Sequence, residues 1–131
     1  MTNIQASIGC AQINKIQEII SLKNKVYNQY LYLLKEKVKF FKKLDKTNPS
    51  FWMTPIIFKS KTQKQKVYLE LKRNNIETRP FFTPIDKLPF YEESDCRIAN
   101  KNFERGLLLP SFPGLSLESQ NQICNIIINI I

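Results

Sequence analysis

Three short apolar runs, each with a proline in it or beside it, limit what this chain can build. They are "FWMTPIIF" (51–58), "IETRPFF" (76–82) and "LLLPSFPG" (107–114). Aromatic and β-branched residues in runs of this length read as strands, but proline donates no ladder hydrogen bond and belongs at a sheet edge or a bulge. Pro55 therefore places the first run at an edge or bulge, and Pro80 holds Arg79 in an extended conformation. The sheet must be small.

The rest reads as helix. Thr2 and Gln5 suit a capping box, and behind them Ile4, Ile8, Ala11, Ile16, Ile19 and Ile20 recur at spacings of three and four. The pattern runs on through Val26, Tyr30, Leu33 and Leu34, so one long helix or two in tandem reach about Lys37. Gly9 costs about 1 kcal/mol there relative to alanine, which implies close packing, and the whole segment reads as a helix packed on its neighbours. After a polar loop (43–50) and the first strand, residues 60–75 form an amphipathic pattern with Val67, Leu69 and Leu71, Thr62 as a possible cap and Asn74-Asn75 as a left-handed stop. Asp95 to Arg105 reads as a short helix ended by Gly106 as C-cap. Ser116 caps a closing helix with Ile123, Ile126, Ile127 and Ile130 on one face. The order helix, strand, helix, strand, helix, strand, helix predicts an α+β class with a small three-stranded sheet. At 131 residues this is one domain, with a helical segment over 1–37 and a small α+β unit over 51–131.

Composition narrows the chemistry. A hydrophobic share of 43% against 24% charged argues for a folded chain. No apolar run is long enough to span a bilayer and "MTNIQASIGC" lacks the basic start of a signal peptide, so a cytoplasmic location is the expectation. Histidine is absent, which removes Ser-His-Asp and Cys-His catalysis and histidine metal ligation. Cys10, Cys96 and Cys124 are scattered and read as reduced structural thiols, with no zinc spacing. The net charge of +9 invites a nucleic-acid reading, yet 15 of the 20 Lys and Arg lie before position 75, mostly as single lysines on helix faces, and only four are arginines. The lysines lie in polar contexts unlike those of a Schiff-base lysine, and glycines only at 9, 106 and 114 leave no phosphate loop. The carboxylates of "EESD" (92–95) could pair as acid and base, but a solvated turn and helix start suits them better. Arg79 is the residue best placed for recognition. Its guanidinium could hold a carboxylate or phosphate while Phe81 and Phe82 supply apolar surface; an ion pair with Glu77 is the plainer alternative, and composition favours it.

Four blocks carry a family resemblance: "MTNIQASIGCAQINKIQEII", "FWMTPIIF", "NNIETRPFFTPID" and "ERGLLLPSFPGLS". In order and spacing the chain resembles, over essentially its whole length, the C-terminal part of the DegT/DnrJ/EryC1/StrS sugar aminotransferases, with a perosamine-synthase-like flavour. The resemblance implies the C-terminal small domain of an aspartate-aminotransferase-type fold, usually homodimeric, whose large domain carries pyridoxal phosphate. It implies transfer of an amino group from glutamate to a nucleotide-linked keto-deoxysugar, for surface polysaccharide. By the same resemblance Arg79, Phe81, Phe82 and Asp86 lie at the substrate mouth, while Asn3 and Gln5 open a helix near the dimer and cofactor region. Two departures stand out. Asp86 replaces a histidine common at the end of the "RPFFxPx" motif, and the stretch holding the Schiff-base lysine and most phosphate contacts has no counterpart here. No catalytic or cofactor-binding residue is therefore assigned. Three readings follow: a C-terminal portion inactive alone and working as a homodimer or with an N-terminal partner chain, a basic nucleic-acid module, or a non-functional relic.

Overall fold

Proline decides where each strand can sit. The computed structural model describes residues 1–92 and 94–131, in which β1 (Thr54–Ile57), β2 (Arg79–Pro80) and β3 (Gly106–Leu109) form an antiparallel sheet in the spatial order β1-β3-β2. The two proline-bearing strands take the edges, and β3, proline-free and buried throughout, takes the centre. Thr54 pairs with Leu109 and Ile57 with Gly106 on one side of β3, while Arg79 pairs with Leu108 and Pro80 with Leu107 on the other. The second strand is much shorter than the 76–82 run suggests. Pro80 ends the ladder and Phe81 leaves the strand to pack its ring against Gly106. Gly106 is the C-cap residue of α4 and, with an extended backbone (φ −87°, ψ 147°), opens β3 at once; a Cβ there would lie 2.5 Å from the Phe81 ring.

The N-terminal pattern resolves into two helices, α1 (Asn3–Ile13) and α2 (Ile16–Leu34). The capping box at the start of α1 is formed: Gln5 N donates to Thr2 Oγ1 (3.4 Å) and Thr2 N to Gln5 Oε1 (2.8 Å). α3 (Lys61–Arg73) is capped by Ser60, whose extended backbone lets its hydroxyl accept from Gln63 N at 3.1 Å, and not by Thr62. Val67 and Leu71 face inward while Leu69 is exposed, and Asn75 takes the left-handed conformation (φ 57°) that stops the helix. A 3-10 turn (Ile85–Lys87) and α4 (Arg97–Arg105) lead into β3, and α5 (Leu117–Ile130), capped by Ser116, closes the chain.

The core lies between the sheet and α2, α3 and α5, and is filled by Tyr30, Leu34, Ile56, Val67, Leu71, Leu107 and Ile127. Two polar ties cross it: Tyr30 Oη donates to Pro110 O (3.1 Å) and the buried Gln120 Nε2 to Val26 O (2.9 Å). Burial also pushes the Cys124 thiol up to about 12 and the Tyr30 phenol upwards, so both stay neutral. α1 takes no part. None of its residues is buried, and nothing lies within 4 Å of where a Gly9 Cβ would be. The close packing that Gly9 suggests is absent here, and Cys10 is exposed, Cys96 half-buried and only Cys124 a core thiol. Among the described residues no helix is long and apolar enough to cross a membrane.

Candidate substrate-binding face

One face is organised by Lys23, a half-buried residue of α2. Its ammonium donates to Trp52 O (2.8 Å), just before β1, and to Ser111 O (2.9 Å), just after β3; the Ser111 hydroxyl also donates to Trp52 O (3.3 Å). One charge thus ties together the adjacent ends of two paired strands. Desolvation lowers the pKa of Lys23, so this lysine departs from the polar, exposed contexts that the sequence suggests for all of them.

Beside this knot runs an open groove of about 710 Å³, bordered by Trp52, Asn75, Arg79, Phe112 and Gln122 as well as Lys23. Arg79 stands on the edge strand where Pro80 keeps the backbone extended. Its side chain is 71% exposed and its Nε lies 3.6 Å from Glu77 Oε1, so the plainer ion pair exists but both partners remain open to solvent. Phe82 points outward and stacks on Trp52, with ring centroids 6.2 Å apart and planes 16° from parallel. Phe81 turns the other way, against Gly106, with Phe41 stacked over it at 6.2 Å.

Asp86 sits apart from the groove. Held in the 3-10 turn, its Oδ2 accepts from Asn100 Nδ2 of α4 at 2.9 Å, and it borders a separate hollow with Lys87, Tyr91 and Ser94. Among the described residues, Asp86 Oδ1 and Asn100 Oδ1 are buried without a donor. Of the four residues singled out in the sequence, Arg79 lines the groove, Phe82 flanks it through Trp52, Phe81 lies behind it and Asp86 is engaged elsewhere. Trp52 and Lys23 carry no site motif; the signal for Trp52 is that it is the sole tryptophan and exposed, whereas nothing in the sequence marks Lys23. In "EESD", Asp95 pairs with Arg97 (2.8 Å) and Glu92 is exposed; Glu93 lies outside the described residues.

The chain as a whole has known relatives. The model of the DegT/DnrJ/EryC1/StrS aminotransferase family matches residues 1–128. The GDP-perosamine synthase of Vibrio cholerae is 36% identical over 138 residues, covering 98% of this chain and 37% of that protein. That of Escherichia coli O157:H7 is 34% identical over 126 residues, covering 95% of this chain and 35% of its own. A solved structure from Streptococcus pneumoniae, described as a sugar aminotransferase, superposes with a TM-score of 0.89 over 99% of this chain and 35% of its own, at 18% identity, a likeness of fold. The chain spans little more than a third of the length of the relatives it matches.

Proposed function

Because this chain belongs to the DegT/DnrJ/EryC1/StrS aminotransferase family, we propose that it is the C-terminal, small-domain portion of an enzyme that moves an amino group from glutamate to a nucleotide-linked keto-deoxysugar for surface polysaccharide. The observation that carries this reading is α1. At 100° per residue Ile4, Ile8 and Ala11 fall on one side of the helix, and Ala6, Cys10 and Ile13 on the opposite side. Both sides are open, with Ile4, Ile8 and Ile13 at 74%, 60% and 69% exposure. A helix apolar on two opposite sides belongs inside a larger body. In a family whose members are nearly three times this length, the rest of the fold supplies that body. The working form is then a homodimer of complete subunits or a pair with an N-terminal partner chain.

Pyridoxal phosphate supplies the electron sink for amino transfer when bound. The residues of this chain do not make a site for it. Lys23, the lysine with a pKa lowered by burial, has its Nζ occupied by two carbonyls, and no glycine-rich loop is present to cradle a phosphate. The cofactor belongs to the other part of the fold, and this chain alone is inactive. Its contribution is the substrate lip: Arg79 offers a bidentate donor to a phosphate or carboxylate, and Phe82 with Trp52 offers apolar surface. Asp86 departs from the family pattern, and its hydrogen bond to Asn100 makes it a brace between the 3-10 turn and α4.

The test mixes this chain with a polypeptide spanning the part of the Vibrio cholerae relative that it does not cover. Amino transfer from glutamate to a GDP-linked keto sugar should appear only in the mixture and fall at least tenfold with Arg79→Ala, about 1.4 kcal/mol or more of transition-state stabilisation. A pyridoxyl-lysine trapped by borohydride on the isolated chain would sink the reading.

A further inference from the structure

A second hollow, also of about 710 Å³, lies on a different part of the surface and is bordered by Lys35, Lys37, Lys39, Lys59, Lys101 and Arg105. Four segments bring these cations together: the C-terminal end of α2, the extended stretch after it, the end of β1 and α4. The backbone explains the convergence. Val38 points into the core, so its neighbours Lys37 and Lys39 both point out, and Lys39 is fixed beside Ile57 by paired backbone bonds of 2.9 Å. Phe58 is buried, which turns Lys59 outward, and its N–H donates to Arg105 O at 3.0 Å. Lys101 and Arg105 stand one turn apart on α4.

Six cations share this hollow with one carboxylate, Glu36. Among the described residues none of the six takes part in an ion pair or a side-chain hydrogen bond. The carbonyl ends of α2 and α4 favour nearby cations and account for Lys35, Lys37 and Arg105. They do not account for Lys39 and Lys59, which come from the sheet side. Like charges held this close repel one another, and a bound polyanion removes that repulsion.

We propose that this hollow is a binding site for a small oligophosphate, separate from the groove at Arg79. The shared chemistry is a run of two or three linked phosphates, whether free or as the diphosphate of a nucleotide. The inference does not depend on the aminotransferase reading, and its test uses this chain alone. Tripolyphosphate titrated calorimetrically should bind one per chain with a Kd of about 0.1 mM or tighter at low salt, weakening roughly tenfold by 0.3 M salt. It should raise Tm by about 10 °C at a hundredfold excess over Kd. Lys39→Glu combined with Lys59→Glu should weaken binding at least tenfold while leaving the far-UV spectrum unchanged. Lys39→Arg with Lys59→Arg should bind as the parent does. GDP binding with the same dependence on Lys39 and Lys59 would identify the nucleotide as the source, and binding of tripolyphosphate without GDP the free oligophosphate. Three results would overturn the proposal: no saturation, an equal loss from Lys43→Glu with Lys46→Glu outside the hollow, or an oligothymidylate binding tenfold tighter than tripolyphosphate. The first two would mark diffuse net charge, the third a longer nucleic-acid track.

Discussion

α1 and α2 are consecutive helices joined by a two-residue turn, and both carry isoleucines at helical spacing. α2 buries one face, with Val26, Tyr27, Tyr30 and Leu34 covered by the sheet and α5. α1 buries nothing. The difference lies in the distribution of apolar residues. α2 concentrates them on one side, whereas α1 spreads them over two sides and carries no charged residue at all. An isolated helix of eleven residues is marginal in water. α2 is a finished part of this chain, whereas α1 leaves both its apolar sides open.

That contrast can be broken by substitution. The largest effect belongs in the finished region: Leu71→Ala should lower unfolding free energy by about 3 kcal/mol, read from the urea midpoint. A loss below about 1 kcal/mol would mean that α3 does not anchor this core. Gly106→Ala comes next, at about 2 kcal/mol, because the added methyl meets the Phe81 ring; Phe81→Leu should return part of that loss in a double-mutant cycle. The third effect is in pH. The folded state keeps the Cys124 proton up to about pH 12, whereas the unfolded chain releases it near its ordinary value of 9.0. Stability from this thiol is therefore complete below pH 9 and is lost as pH rises from there towards 12, by at most about 1.4 kcal/mol per pH unit. Tyr30 works in the same direction and Lys23 in the opposite one, so the clean measurement is the difference in alkaline slope between the parent and Cys124→Ala. The smallest effect sharpens the comparison most. Ile8→Asp in the isolated chain should change Tm by an amount equivalent to less than about 0.5 kcal/mol. A larger loss would show that α1 does pack on this chain.

Much of the fold was legible because local physics decides it. The Thr2–Gln5 capping box, the Asn75 stop, the Ser116 cap and the edge position of Pro55 all follow from a few neighbouring residues, and each stands where the pattern puts it. What failed depends on distant partners. Gly9 looks like a packing glycine in one dimension, but among the described residues nothing lies within 4 Å of where its Cβ would be. Gly106 ends α4 as the pattern says, but the close contact that bars a side chain there comes from Phe81, twenty-five residues earlier. The candidate face was half legible. Arg79 and Phe82 stand out by composition and by the Pro80 constraint. Lys23 could not be seen, because its role is set by two carbonyls 29 and 88 residues away. The basic hollow was half hidden in the same way: Lys35, Lys37 and Lys39 stand together in "KEKVK", but Lys59, Lys101 and Arg105 join them only when α2, β1 and α4 are assembled.

The tie between Gln120 and Val26 spans 94 positions, and α5 as a whole lies over α2. The first and last elements of the core thus complete each other. During synthesis the cover over α2 is therefore complete only once α5 has formed, and a chain stopped before α5 would leave that part of the core open to chaperones and proteases.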